Sequence, residues 1–270
     1  MKEKEVQKSK IYGKKEYYCF YDSEFNAYDY KINPTYPQEV ISIGICISDK
    51  ENNIIEKYYS LIKLKAAKYI TKRCTELTGI TNKEMKRAID FEESCKNVYN
   101  IINKYKIDTI YTYGNEDKNA FIKTAKLYKR MKKYFNIADM FRDIRIDIKE
   151  LTNGKVGDQG LLFLKKICEL PGDVMHNALD DAVDLAKVAY TIYKKGYNKK
   201  IYKELTIERE ENSNYKRSRN ILDANTIKAP QEVLKARNKL VEYLKKTNVP
   251  NMNNGIKRAI IDDLLLLFKK

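Results

Sequence analysis

Apolar residues follow two rhythms along this chain. Three runs come first: YYCFYDSEF (17–25), EVISIGICIS (39–48) and IIEKYYSLI (54–62), divided by polar links. Runs of this length and content read as strands, and their succession predicts an antiparallel meander. The spacing then lengthens to the three-to-four-residue repeat of helices, around 66–77 and 90–104. IDTIYTY (107–113) is read as a fourth strand, with a helix starting close to Asn115. A short fifth strand is expected near Phe135 to Ile137, then helices over 139–151, 158–168 and 177–195. Gly196 closes the last of these as a C′ glycine. This order predicts an α/β fold: a mixed five-stranded sheet, three antiparallel strands and then two parallel ones, flanked by helices.

The pattern also divides the chain. Residues 1–16 read as a basic, loose N-terminal arm, and 17–196 as the α/β domain. Residues 197–229 are expected to be a polar linker, on the strength of TIEREENSNYKRSRNILDANTIKAP (205–229). Residues 230–270 are expected to be a helical extension made of two amphipathic segments, 230–247 and 255–269. Pro230 suits the first helical position, and Val233, Ala236, Leu240, Val241 and Leu244 share one stripe. Two such helices bury too little to stand alone. They are expected to dock on the domain, on each other in a homodimer, or on a partner.

Charge narrows the class. There are 53 Lys and Arg against 37 Asp and Glu, a net +16. Phosphate backbones attract such an excess through counterion release, so nucleic acid is the leading partner. From Gly196 onward 17 basic residues face 9 acidic ones, about +8. Five cysteines, Cys19, Cys46, Cys74, Cys95 and Cys168, are widely spaced, and with a single histidine they do not form a zinc pattern. No stretch nears the roughly 18 apolar residues of a membrane span. The chain is read as a soluble, reduced protein of the cytoplasm, without a membrane partner.

Most acids are scattered among lysines, but a few sit where carboxylates are costly. Asp22 and Glu24 lie two apart within the first strand pattern, so both point to one face. Burying them together is unfavourable unless a cation sits between them. Asp117 follows IYTYGN, in the first turn of a helix at the carboxyl end of a strand, where open α/β sheets place ligands; Glu116 competes for that role. In HNALDD (176–181) the helical wheel, about 100° per residue, puts Asp181 at the edge of the core-facing side and Asp180 nearly opposite. His176, the sole histidine, falls on the loop before that helix. It is the residue whose ordinary titration lies near neutral pH.

Taken in order, D-x-E (Asp22, Glu24), G-N-x-D (Asp117) and H-x-x-x-x-D (His176, Asp181) resemble the DEDDh, or DnaQ-like, 3′–5′ exonucleases. CTELTGIT (74–81) and HNALDDA resemble the Eri-1/KapD exoribonuclease branch. The resemblance covers roughly 17–195 and implies a ribonuclease H-like fold. Ser23 stands where that branch often has an apolar residue, and Tyr113 where a Trp is frequent.

The resemblance further implies a two-metal mechanism. Two divalent cations, Mg²⁺ or Mn²⁺, about 3.5–4 Å apart, would clamp the scissile phosphate. Asp22 would bridge them, and Glu24, Asp117 and Asp181 would complete the ligand set. His176 would take a proton from the attacking water. Phe25 would meet the terminal base or sugar, and Leu77, Thr78 and Gly79 would line the 3′-nucleotide pocket. The expected substrate is single-stranded RNA ahead of DNA, and the expected product a nucleoside 5′-monophosphate. A DNA exonuclease and a silent nucleic-acid scaffold are the alternatives. The intact set of four acids and His176 argues against the scaffold.

Overall fold

The computed structural model describes residues 12, 15–26, 38–128, 134–174, 176–223, 231–246, 257 and 260–262. The chain falls into two units, Met1–Lys199 and Lys200–Lys270.

In the first unit the strands are β1 (Tyr17–Asn26), β2 (Glu39–Asp49), β3 (Ile54–Leu61), β4 (Ile110–Thr112) and β5 (Phe141–Asp143). They form one sheet in the order β3-β2-β1-β4-β5. β2 is antiparallel to both β1 and β3, while β1–β4 and β4–β5 are parallel. The expected mixed sheet is present. β2 reads as an uninterrupted buried strand because helices cover both its faces. β3, at the edge, alternates between more and less exposed residues.

The helices of this unit are α1 (Lys72–Thr78), α2 (Phe91–Lys104), α3 (Glu116–Ala125), α4 (Phe135–Met140), α5 (Ile144–Leu151), α6 (Leu161–Ile167) and α7 (Ala178–Lys195). On one face, Cys19 and Tyr21 of β1 and Ile43, Ile45 and Ile47 of β2 join Phe91, Cys95, Val98 and Phe121 in the main core cluster. α7 packs on β1 and β2, and α5 and α6 pack on α7. All five cysteines are free and buried.

Three local expectations are corrected. The fifth strand is not at 135–137 but at Phe141–Asp143; residues 135–140 form α4, whose Ile137 and Ala138 are buried in the core cluster. A short apolar run has no period of its own, so strand and helix read alike there. The helix expected over 66–77 is only Lys72–Thr78. The stretch before it bends around Glu39, whose carboxylate accepts from the backbone N–H of Lys65 (2.5 Å), Ala66 (3.0 Å) and Ala67 (2.6 Å). The N-terminal arm, of which residues 12, 15 and 16 are described, is tied down at Tyr12. That ring is buried and lies 4.4, 5.5 and 5.2 Å from the rings of Tyr18, Tyr190 and Tyr193.

In the second unit, a helix runs from Lys199 to Asp223 (α8), through most of the stretch expected as a polar linker. Its polar character is real, but polarity does not preclude a helix where few residues break one. α9 (Gln231–Lys246) matches the first amphipathic segment, with Val241 and Leu244 buried and Leu240 exposed. Pro230 and most of 255–269 lie outside the described residues.

α7 crosses the sheet at Gly44. A Cβ built there would lie 2.1 Å from the carbonyl carbon of Ala178 and 2.2 Å from the Leu179 nitrogen, both backbone atoms. Glycine is therefore a steric requirement at this point. Gly44→Ala should destabilise by at least the roughly 1–3 kcal/mol typical of overpacking, because backbone has to move. Urea unfolding checks this; a midpoint equal to that of the parent would contradict the contact.

Candidate active site

Gly44 pairs across the sheet with Asp22, and Ser42 with Glu24. Cross-strand partners share a face, so both acids lie on the side of the sheet that α7 covers. The register then slips between Glu24 and Phe25. Such a bulge re-aims the side chains that follow it. Phe25 is half-buried and packs against the core cluster.

The next acid comes from the end of β4. Gly114 has φ +96°, and a Cβ on it would lie 2.4 Å from Glu116 Oε2, so the chain turns tightly here. Its N–H donates to Asp143 Oδ1 (3.1 Å). Of the two acids that open α3, Glu116 is exposed and Asp117 is only 5% exposed. Asp117 Oδ1 accepts from both the backbone N–H (2.9 Å) and the hydroxyl (2.7 Å) of Ser23. Ser23 thus fastens Asp117 to the strand between Asp22 and Glu24. Sequence reasoning missed this role; the signal was a hydroxyl residue inside D-x-E.

The last two members flank the start of α7. The Asn177 side chain caps it, accepting from Leu179 N (3.1 Å) and Asp180 N (3.3 Å). Asp181 is 6% exposed and Asp180 is exposed, as the wheel required. His176 is exposed on the preceding loop with φ +49°, a left-handed conformation uncommon outside glycine. Glu24, His176 and Asp181 each offer a ligand atom within 4.8 Å of the others. Asp22 and Asp117 join this group through the field they share with it.

That field raises every carboxyl. Asp22 is pushed well above the usual range, by burial and then by Asp117, Glu24 and Asp181. Burial followed by Asp181 and Asp117 lifts Glu24 to about 8. Burial lifts Asp117 to about 7, against the pull of the Ser23 hydrogen bonds. Asp181 rises to about 6 through burial, opposed by His176. No Lys or Arg forms an ion pair with these four acids among the described residues, and Asp181 Oδ1 is buried without a hydrogen-bond partner there. Other buried acids differ. Glu39 is satisfied by three backbone amides, and Asp147 by Arg142 at 2.7 and 2.8 Å. The site is a cluster of hard oxygen donors short of positive charge, which suits divalent cations.

The stretch leading into the CTELTGIT segment is pinned to the end of β1. Asn26 Nδ2 donates to Tyr69 O (3.1 Å), and Asn26 Oδ1 accepts from Thr71 N (3.0 Å). Thr78 and Gly79 have helix-ending duties: the Thr78 hydroxyl donates to Cys74 O (2.9 Å), and Gly79 takes the left-handed cap at φ +71°. Leu77 is 53% exposed and offers its side chain to solvent.

Residues 19–189 match the family model of the RNase T exonucleases, described as "Exonuclease". The chain belongs to this exonuclease family. It is 29% identical over 178 residues to the probable 3′–5′ exonuclease KapD of Bacillus subtilis (strain 168), covering 64% of this chain and 80% of that one. The nuclease domain of 3′hExo, a DEDDh family member solved with rAMP, superposes with a TM-score of 0.61 at 21% identity, over 69% of this chain and 96% of that one. The cell-death related nuclease CRN-4 gives 0.57 at 18% identity, covering 68% and 66%. This chain is therefore an exonuclease; the 3′–5′ direction is printed for KapD and the DEDDh type for 3′hExo.

The raised carboxyls set a pH dependence. Unfolded Asp and Glu titrate near 4. The folded, metal-free exonuclease keeps these protons up to about 6 for Asp181, 7 for Asp117 and 8 for Glu24. Its stability should therefore fall as pH rises from about 4 through the range in which these groups titrate. Divalent cations should reverse the loss, raising Tm more at pH 8 than at pH 6. Thermal melts with Mg²⁺ or EDTA at both pH values test this; equal increments would count against it.

Proposed function

We propose that this exonuclease shortens single-stranded RNA from its 3′ end with Mg²⁺ or Mn²⁺, releasing nucleoside 5′-monophosphates. The observation that carries the reading is the convergence of Glu24, Asp181 and His176 within 4.8 Å, with Asp22 and Asp117 in the same uncompensated field. Asp22, Glu24, Asp117 and Asp181 would hold the cations. A bound cation pair supplies charge stabilisation for the attacking and leaving oxygens of an in-line displacement. His176 holds an exposed imidazole beside the acids, where it takes the proton of the attacking water. Phe25, next to the bulge that ends the acidic stretch of β1, would meet the terminal nucleotide, with exposed Leu77 as a further contact.

RNA is favoured over DNA by the relatives. The nuclease domain of 3′hExo was solved with rAMP, and a structure of a 3′-exonuclease of the same fold shows recognition of a histone mRNA stem-loop. The net charge of +16 suits a phosphate backbone.

A time course on 5′-labelled RNA and DNA of one sequence decides the matter. The expected result is a ladder shortening from the 3′ end, faster on RNA, abolished by EDTA and restored by Mg²⁺ or Mn²⁺. His176→Ala should lower kcat by about 10²–10⁴-fold. Full activity in that variant would remove His176 from the chemistry, and a faster DNA ladder would overturn the RNA preference.

Residues 197–270 form, in the same proposal, a segment that adds RNA affinity or self-association through its amphipathic α9 and its charge of about +8, 17 basic against 9 acidic from Gly196 onward. A chain ended after Gly196 should bind RNA more weakly, with a shallower salt dependence, or change its mass in solution. If all three stay as in the full chain, the segment has neither role.

A further inference from the structure

Lys165, on α6, is a buried lysine that the chemistry above does not use: its side chain is only 3% exposed. Burying an ammonium is costly unless it is paired and hydrogen-bonded. Its Nζ has two partners from two segments: the carboxylate of Asp184 on α7, and the backbone carbonyl of Asp173 (3.0 Å). Asp173 lies in the loop between α6 and α7, three residues before His176. Asp184 lies one turn beyond Asp181 on the helix that His176 leads into.

The loop is fastened at both ends. At its start, Leu170 N donates to Lys165 O (2.9 Å), with Glu169 at φ +56°. At its finish, Asn177 caps α7. Between these ties the chain reaches His176 at φ +49°. A non-glycine residue keeps such a conformation only where its surroundings impose it. Lys165 supplies a restraint in that interval: one ammonium ties the middle of the loop to the helix that bears Asp181.

We propose that Lys165 is a positioning residue for His176, clamping residues 170–174 against α7 so that the imidazole stays over Glu24 and Asp181. This rests on the reading of His176 as the general base. Lys165 touches neither substrate nor reacting atoms. Its effect is on how often the imidazole occupies the productive place, and displacement of a catalytic group by about 1 Å can cost 10²-fold.

The test replaces the ion pair by apolar residues of similar size, Lys165→Met with Asp184→Leu, because removing one partner alone would strand a buried charge. Kinetics use the full chain, 5′-labelled single-stranded RNA and Mg²⁺. The paired substitution should lower kcat about 10- to 100-fold and leave KM within about twofold, since RNA binding is untouched. Added to His176→Ala, it should cost little more, because the clamp then has nothing to position. An equal further loss in the His176→Ala background would reduce Lys165 to a purely structural role and overturn the proposal, as would an unchanged kcat. His176→Ala with full activity would instead defeat the reading on which the proposal rests. The only histidine gives a single imidazole Cε1–H resonance, which supplies a readout independent of turnover. That resonance should move towards its unfolded-chain position in the paired variant and stay in place in Asp180→Asn, outside the clamp. Lys165→Gln, which keeps a donor near Asp173, covers failure of the pair variant to fold: its resonance should move in the same direction by less, and a resonance unmoved in Lys165→Gln would overturn the clamp.

Discussion

The active site depends on an absence of side-chain volume. Because position 44 carries no Cβ, the backbone of α7 at Ala178 rests directly on β2, next to Asp22 on β1. Any larger residue would lift the amino end of α7, and with it His176 and Asp181, away from the strand that bears Asp22 and Glu24. Helix and sheet normally pack through interdigitated side chains; here the approach is backbone on backbone at the point where the acids must converge. The Asn177 cap and the Lys165 clamp then set the direction in which the chain enters that contact.

The second constraint is electrostatic. Folding brings four carboxylates together and leaves them without an ion-pair partner among the described residues. Elsewhere the same chain neutralises its buried acids with care: Glu39 by amides, Asp147 by Arg142. The contrast within one molecule shows that the exception is chemical in purpose. Ser23 adds to the point, because its two hydrogen bonds orient Asp117 without cancelling its charge.

Much of this was legible in the sequence, and the reasons are specific. β2 is a long β-branched run, and α7 repeats its alanines every three or four residues, so sheet and helix declare themselves. The wheel separated Asp181 from Asp180, because burial follows the angle of a residue on its helix. Between Glu116 and Asp117 the sequence left the choice open, and the structure buries Asp117. What could not be read was anything set by contact between distant segments. Gly44 is silent until α7 lies on it. Ser23 resembles a mere departure until Asp117 arrives from 94 residues away. α4 and β5 were misplaced because short apolar runs carry no period, and α8 because polar composition suggested a linker where the backbone is helical.

The cysteines, free and sealed in the interior, have a consequence for the conditions under which the exonuclease can work. Burial raises the Cys46 and Cys168 thiols to about 12, and those of Cys19, Cys74 and Cys95 also rise. The thiolate is the form that oxidants and alkylating agents attack. Held protonated in the interior, these five thiols are in the form that such agents attack least. Nucleic-acid cleavage by this protein should continue through an oxidative stress that silences thiol-dependent enzymes around it.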